Sequence, residues 1–225
     1  MSLLARVRLL QLASQAFPVG GYSQSQGLES AIESGLVRDE ASTRQWINDV
    51  LEFSLGSYEL PALHALAGAW RDRDVAGLRR INDEFLATRE SAELRAGTVQ
   101  MGFSMRSLLK LLPELDEWHN STLHSMPEPS LPCVWSGLAT AWSIGPADAS
   151  IAYLWTWAEN QVLVAMKTIP IGQSAGQRIL MAVGAEIARV AQSGSRSDVP
   201  LSNFAPGLAI LSSQHETQYS RLFRS

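Results

Sequence analysis

The segment from Ala147 to Thr168 constrains the fold more than any other part of the sequence. Its apolar side chains recur at the three- and four-residue steps of an α-helix, and further large apolar residues occupy the other sides. A helix that is apolar nearly all round has to be buried by its neighbours. The sequence therefore predicts a central helix that other helices enclose.

The rest of the chain also follows a helical period, and the sequence contains no alternating pattern typical of β-strands. Glycine, proline and short polar runs divide it into about ten helical segments, so we expect an all-α, single-domain bundle over residues 1–225. Two stretches are predicted to be irregular. Residues 113–132 are rich in proline, and residues 193–225 contain a mobile loop, a short helix and a C-terminal tail.

Composition argues against several classes of function. The chain has one cysteine, Cys133, which excludes an internal disulfide and a cysteine-cluster metal site. A formal net charge of −4 does not attract nucleic acid or an acidic membrane surface. No secretory signal is convincing, and no apolar run reaches the roughly 18 residues of a membrane span. We therefore expect a cytoplasmic protein without nucleic-acid or membrane partners.

No catalytic or cofactor motif is complete. His215 begins a stretch like a zinc-protease motif, but the second histidine four residues later is absent. The glycine loop at Pro18–Gly21 lacks the lysine and hydroxyl residue that bind phosphates. Glu90 and Glu93 share a helical face near Arg89, which a solvated, salt-bridged surface explains. We expect no catalytic, cofactor-binding or metal site; the alternative is a helical enzyme with an unrecognised active site.

Five segments, in order along the chain, resemble the UreF family of urease accessory proteins. They include PVGGYSQSQGLE within residues 9–37, the Leu60-Pro61 helix start, RESAELRAGTVQMG at 89–102, WAENQVLVAMKTIPIGQ at 157–173 and HETQYSRLFRS at 215–225. Glu59 stands where the family usually has aspartate, and residues 113–145 match least. Because the segments cover nearly half of the sequence, the chain is identified as a member of this family.

The resemblance implies a function that the residues alone do not. UreF-like proteins act as scaffolds in urease maturation rather than as enzymes, and they carry no cofactor. They form homodimers, bind the accessory protein UreD (also called UreH) and recruit the GTPase UreG to apo-urease, where nickel is inserted. The resemblance also implies a role in regulating GTP hydrolysis by UreG.

Lys167, near the C-terminal end of the predicted central helix, has two interpretations. It can face solvent and the negative end of the helix dipole, or it can present a charge to a partner. The resemblance favours the second interpretation and implies a GTPase-binding surface that also includes Asn160 and Gln173.

The C-terminal tail would by composition be a fraying end. The resemblance instead implies that it becomes ordered in a complex and binds UreD, with His215, Tyr219, Arg221 and Arg224 as the contacts. Tyrosine and arginine are residue types that anchor interfaces. A further alternative is that Arg221 and Arg224 act on GTP hydrolysis directly, as inserted arginines.

The loop that contains Gly20, Gly21, Tyr22 and Ser23 keeps two interpretations. The two glycines can serve only a tight, left-handed turn. The same turn can instead present Tyr22 and Ser23 to a partner.

Overall fold

The structure, a computed structural model, describes residues 1–17, 19–108, 115–193 and 202–225. Within these ranges it contains eleven α-helices and no β-strand, which confirms the all-α fold class. The helices are α1 Leu3–Leu12, α2 Leu28–Glu33, α3 Glu40–Val50, α4 Leu60–Arg71, α5 Val75–Ala87, α6 Ala92–Ser107, α7 Glu117–His124, α8 Leu131–Ala141, α9 Pro146–Thr168, α10 Gln173–Ser193 and α11 Pro206–His215.

The prediction that residues 113–132 are wholly irregular is wrong, because α7 lies within them. Asp116 starts this helix by accepting a hydrogen bond from the main-chain N–H of His119 (2.8 Å). Pro132 lies in the first turn of α8, where proline is tolerated, so it marks a helix start instead of a break. Residues 109–114, which include the start of the predicted irregular stretch, lie outside the described residues.

Helices α3 and α4 belong to one continuous helical rod. The sequence predicts two helices, but a π-helical stretch, Leu51–Glu59, connects them without a break. The main-chain N–H of Leu60 donates to the oxygen of Leu55, five residues back, which is the π-helical hydrogen bond. Gly56 lies here against Val190 of α10, and a Cβ atom at Gly56 would approach the Val190 side chain to 2.6 Å.

Helix α9 is the predicted long helix and contacts much of the bundle. It packs against α1, α2, α3, α4, α8 and α10. Its small and branched residues, such as Ala158, Val162 and Ala165, are buried at these contacts. In the part of the chain that the structure describes, no helix is long and apolar enough to cross a membrane.

A buried ion pair connects the π-helical stretch to the segment between α5 and α6, and a hydrogen bond extends it to α9. Nη1 of Arg89 lies 2.6 Å from Oε1 of Glu59, with side chains only 6% and 15% exposed. The hydroxyl of Tyr153, on α9, donates to Oε2 of Glu59 (2.8 Å). The Arg89 guanidinium also lies 4.2 Å from the centroid of the Phe85 ring. These contacts join residues that are far apart in the sequence.

The predicted solvated face around Arg89 is therefore wrong. Arg89 is buried in the ion pair, and Glu90 is only partly exposed, so that burial raises the pKa of its carboxyl group. Glu93 lies in the first turn of α6, just after these two residues, and pairs with His215 and Arg221. Sequence spacing alone could not show that this face of α6 is covered by α11 and the tail.

Replacing Arg89 by methionine should lower the free energy of unfolding by about 3 kcal/mol or more, because Glu59 would stay buried without its counter-charge. Urea denaturation of the chain measures this. The matched control is Arg80→Met, which breaks an exposed pair with Glu84 (64% and 58% exposed) and should cost less than about 1 kcal/mol. Equal losses in the two variants would contradict the assignment.

Candidate functional site

The C-terminal tail lies against the loop of residues 20–27 and forms part of the folded chain. The main-chain N–H of Arg224 donates to the oxygen of Ser23 (2.8 Å), and that of Gln26 donates to the main-chain oxygen of Ser225 (2.8 Å). Ser225 is only 3% exposed. The fraying end that composition alone suggested is therefore not found for these last residues. Residues 194–201 of the predicted mobile loop lie outside the described residues.

Polar side chains of α9 hold the loop from its other side. Nδ2 of Asn160 donates to the main-chain oxygen of Gln24 (2.8 Å), and Nε2 of Gln161 donates to that of Ser25 (3.1 Å). Both side chains are buried, Gln161 completely. Asn160 was predicted to contact a partner, but its burial does not fit that role. It supports the loop that carries the tail.

The loop backbone is held in conformations that are costly for most residues. Gln26 has a φ of 53°, in the left-handed region that non-glycine residues rarely adopt. Nε1 of Trp157, on α9, donates to the side-chain oxygen of Gln26 and so stabilises it there. Such positions persist only where surrounding contacts determine them, and they concentrate at functional sites.

The first interpretation of the glycine loop, a left-handed turn, holds for one of its two glycines. Gly20 has a φ of 77°, which requires glycine-like freedom, whereas Gly21 begins a short 3₁₀ turn, Gly21–Ser23. The hydroxyl of Ser23 donates back to the oxygen of Gly20 (2.8 Å). Ser23 is thus engaged internally by this bond and by the tail, while Tyr22 is 60% exposed.

A buried carboxylate, that of Glu29 on α2, anchors the tail. Its Oε1 accepts the main-chain N–H of Leu222 (2.7 Å), and its Oε2 accepts that of Phe223 (3.1 Å). Nε2 of His215 lies 3.0 Å from the same Oε2, and Nδ1 of His215 lies 2.6 Å from Oε2 of Glu93. Helices α2, α6 and α11 and the tail therefore meet at one imidazole ring.

His215 is completely buried, so a direct partner contact does not fit this residue. Its neighbours in the tail differ. Tyr219 is fully exposed, and Arg224 is exposed. Arg221 is also exposed, but its Nη1 donates to Oε1 of Glu93 (2.6 Å), which holds the guanidinium against α6. This hydrogen bond restrains Arg221 and does not favour the alternative in which Arg221 inserts into a GTPase active site.

Lys167 lies beside the seated tail. Its ammonium nitrogen is 5.7 Å from the centroid of the buried Phe223 ring, a cation–π contact, and the side chain is exposed. The structure thus brings together Lys167 and the tail, which the sequence placed on two different surfaces. Gln173 is exposed at the first position of α10.

A cavity of about 90 Å³ lies beneath the loop, between α9 and the π-helical stretch. Its polar lining includes Glu59, Arg89, Tyr153 and Asn160. Across the described ranges, no group of three or more histidine, cysteine, aspartate or glutamate side chains is arranged to hold a metal ion.

Sequence reasoning missed the acidic and amide residues that carry this site, namely Glu29, Glu93 and Gln161. One signal was present. Asn160 and Gln161 interrupt an otherwise apolar buried helix, and buried amides need hydrogen-bond partners. Their partners lie more than 130 residues away in the chain, and nothing local identifies them.

Replacing Asn160 by alanine should leave the buried Gln24 oxygen without its donor and lower the free energy of unfolding by about 1–3 kcal/mol. The amide of Arg224 should also exchange faster with deuterium, because the loop that holds the tail is loosened. Gln173→Ala, at an exposed position, is the control and should change neither quantity. Unchanged tail exchange in the Asn160 variant would contradict the supporting role.

Comparison with known proteins agrees with the resemblance read from the sequence. A family model described as UreF matches residues 37–184. The urease accessory protein UreF of Azoarcus sp. (strain BH72) is 51% identical, over 99% of this chain and 97% of its own length. Its counterpart in Dechloromonas aromatica (strain RCB) is 52% identical, over 99% and 98%. That of Janthinobacterium sp. (strain Marseille) is 44% identical over the whole of both chains. The chain therefore belongs to the UreF family of urease accessory proteins.

Proposed function

We propose that this chain is a scaffold in urease maturation that binds UreD/UreH and recruits or regulates the GTPase UreG on apo-urease. It acts in the cytoplasm, as a homodimer, and nickel is cargo of the complex and not a resident cofactor. The relatives named as urease accessory proteins support a role in maturation. Their names also speak against the alternative of a helical enzyme.

The observation that carries the proposal is the position of Lys167 beside the tail. Lys167, Tyr22, Tyr219 and Leu222 are all exposed around the seated tail, although the tail backbone itself is hydrogen-bonded into the fold. Exposed aromatic and apolar side chains next to a cation are typical of protein-binding surfaces. A preformed surface binds with less loss of conformational entropy than a loose segment does.

The two partners are assigned to neighbouring parts of this surface. Lys167 and Gln173, at and just beyond the end of α9, form the side proposed for UreG. Tyr219 and Arg224, which extend from the docked tail, form the side proposed for UreD/UreH. Lys167 contacts Phe223 of the tail. A partner that binds one side of the surface can therefore change the conformation of the other side.

Lys167→Ala should keep the fold and the binding of UreD/UreH but weaken recruitment of UreG and lower urease activation, since it removes an exposed charge from the side proposed for UreG. Co-purification with UreD/UreH and UreG, followed by a urease activation assay, measures this. Arg178→Ala is the matched control, because it removes an exposed cation of α10 that pairs with Glu40. Normal recruitment and activation by the Lys167 variant would contradict the role proposed for this residue.

Tyr219→Ala should weaken capture of UreD/UreH at least about tenfold, as the loss of an aromatic anchor commonly does. Its thermal unfolding midpoint should not change, because the side chain is fully exposed in the single chain. Tyr22→Ala is the comparison, since Tyr22 is the other exposed tyrosine beside the tail. Unaltered capture by the Tyr219 variant would remove the tail from the proposed interface.

A further inference from the structure

We propose that the cavity beneath the loop of residues 20–27 is a hydrated site, in which a cluster of ordered waters bridges Arg89, Glu90 and Asn160. Residues of the loop, the π-helical stretch, α6 and α9 line this cavity, whose volume is about 90 Å³. One buried water requires at least about 10–15 Å³ of such space, so the cavity has room for several. The inference does not depend on the proposed function.

Unpaired polar atoms are concentrated at this cavity. Nε and Nη2 of Arg89, both carboxylate oxygens of Glu90 and Oδ1 of Asn160 are buried and have no hydrogen-bond partner among the described residues. They are five of the thirteen such atoms in the described part of the chain, and all three residues line the cavity. A buried polar group without a partner is unfavourable, and buried waters commonly supply the missing hydrogen bonds.

The guanidinium of Arg89 is the strongest of these indications. Its side chain is only 6% exposed, and its Nη1 donates to Oε1 of Glu59 (2.6 Å). Nε and Nη2 carry three further N–H donors, and neither nitrogen has an acceptor among the described residues. The second carboxylate oxygen of Glu59 already accepts from Tyr153 (2.8 Å). This edge of the guanidinium therefore requires an acceptor within the cavity.

The other two residues have the opposite requirement, because their unpaired atoms are acceptors. Nδ2 of Asn160 donates to the main-chain oxygen of Gln24, which leaves Oδ1 as the unpaired atom of that amide. Asn203 lies close to Glu90, but its Nδ2 donates to the main-chain oxygen of Thr88 (2.7 Å). Burial raises the pKa of the Glu90 carboxyl group, and a protonated carboxyl group would still require a partner for each oxygen.

The combination of donors and acceptors selects water as the occupant. An oxyanion would pair with Arg89 but would face the carboxyl groups of Glu59 and Glu90. A metal cation would pair with those carboxyl groups but would face the Arg89 guanidinium. Water donates and accepts without adding a charge, so it satisfies both kinds of group. The waters then connect the Glu59–Arg89 ion pair to Asn160, the side chain that holds the loop.

The alternative is a dry cavity, because much of the lining is apolar, including Val50, Leu55 and Met101. Nuclear magnetic resonance of the full chain, without partners, distinguishes the two. A long-lived water cluster should give nuclear Overhauser effects between water and the Val50 methyl groups. The control is Val183, which is completely buried in α10 away from the cavity and should give none. Xenon, which binds dry apolar cavities, should not shift the Val50 methyl signals.

Two substitutions at one position test the bridging role of Glu90. Glu90→Gln keeps a side chain that donates and accepts, so the number of long-lived waters should not change. Glu90→Leu removes these hydrogen-bonding atoms at similar size, so at least one long-lived water should be lost. Magnetic relaxation dispersion of the water oxygen counts these waters, and circular dichroism establishes that each variant is folded. The measurements on the unmodified chain do not depend on either variant.

Three outcomes would overturn the proposal. Xenon-induced shifts at Val50 without any contact to water would show that the cavity is dry. An equal number of long-lived waters in the two Glu90 variants would show that Glu90 does not bridge. Loss of the water contacts on addition of bicarbonate or Mg²⁺ would assign the cavity to an ion. None of these measurements uses a partner protein, so failure to capture UreD/UreH or UreG would leave their results intact.

Discussion

The hydrogen bonds to the buried carboxylate of Glu29 are the interaction on which the candidate site depends. They join α2, the end of α11 and the last residues of the chain, which are almost 200 positions away in sequence. A carboxylate is buried only where donors compensate for its lost hydration. The tail supplies two of these donors, so docking of the tail stabilises the buried carboxylate of Glu29.

Helix α9 connects the core of the bundle to the loop and the tail at the surface. Its apolar faces are buried in the bundle, while Asn160 and Gln161 hold the loop against which the tail lies. Lys167, near the C-terminal end of the same helix, lies beside Phe223 of the tail. One helix therefore positions the loop, the tail and the exposed charge of Lys167 relative to one another. Small changes in the packing of this helix would displace all three.

Helical periodicity predicted the fold class and the bounds of α9 to within one residue, because local pattern decides where a helix forms. It failed where partners are distant in the chain. Arg89 and Glu93 appeared to be surface residues since their partners, Glu59 and His215, come from other elements. The tail looked loose for the same reason. Lys167 was identified by resemblance and is exposed, whereas Asn160 and His215 proved to be buried supports.

The central claim is that the isolated chain seats its own tail beside Lys167. Nuclear Overhauser spectroscopy of the isotope-labelled chain, without partners and near neutral pH, tests it most directly. The account predicts cross-peaks between the Phe223 ring and the side chain of Lys167, and between the amide of Gln26 and the protons of Ser225. Random-coil chemical shifts for residues 220–225, without these cross-peaks, would contradict it.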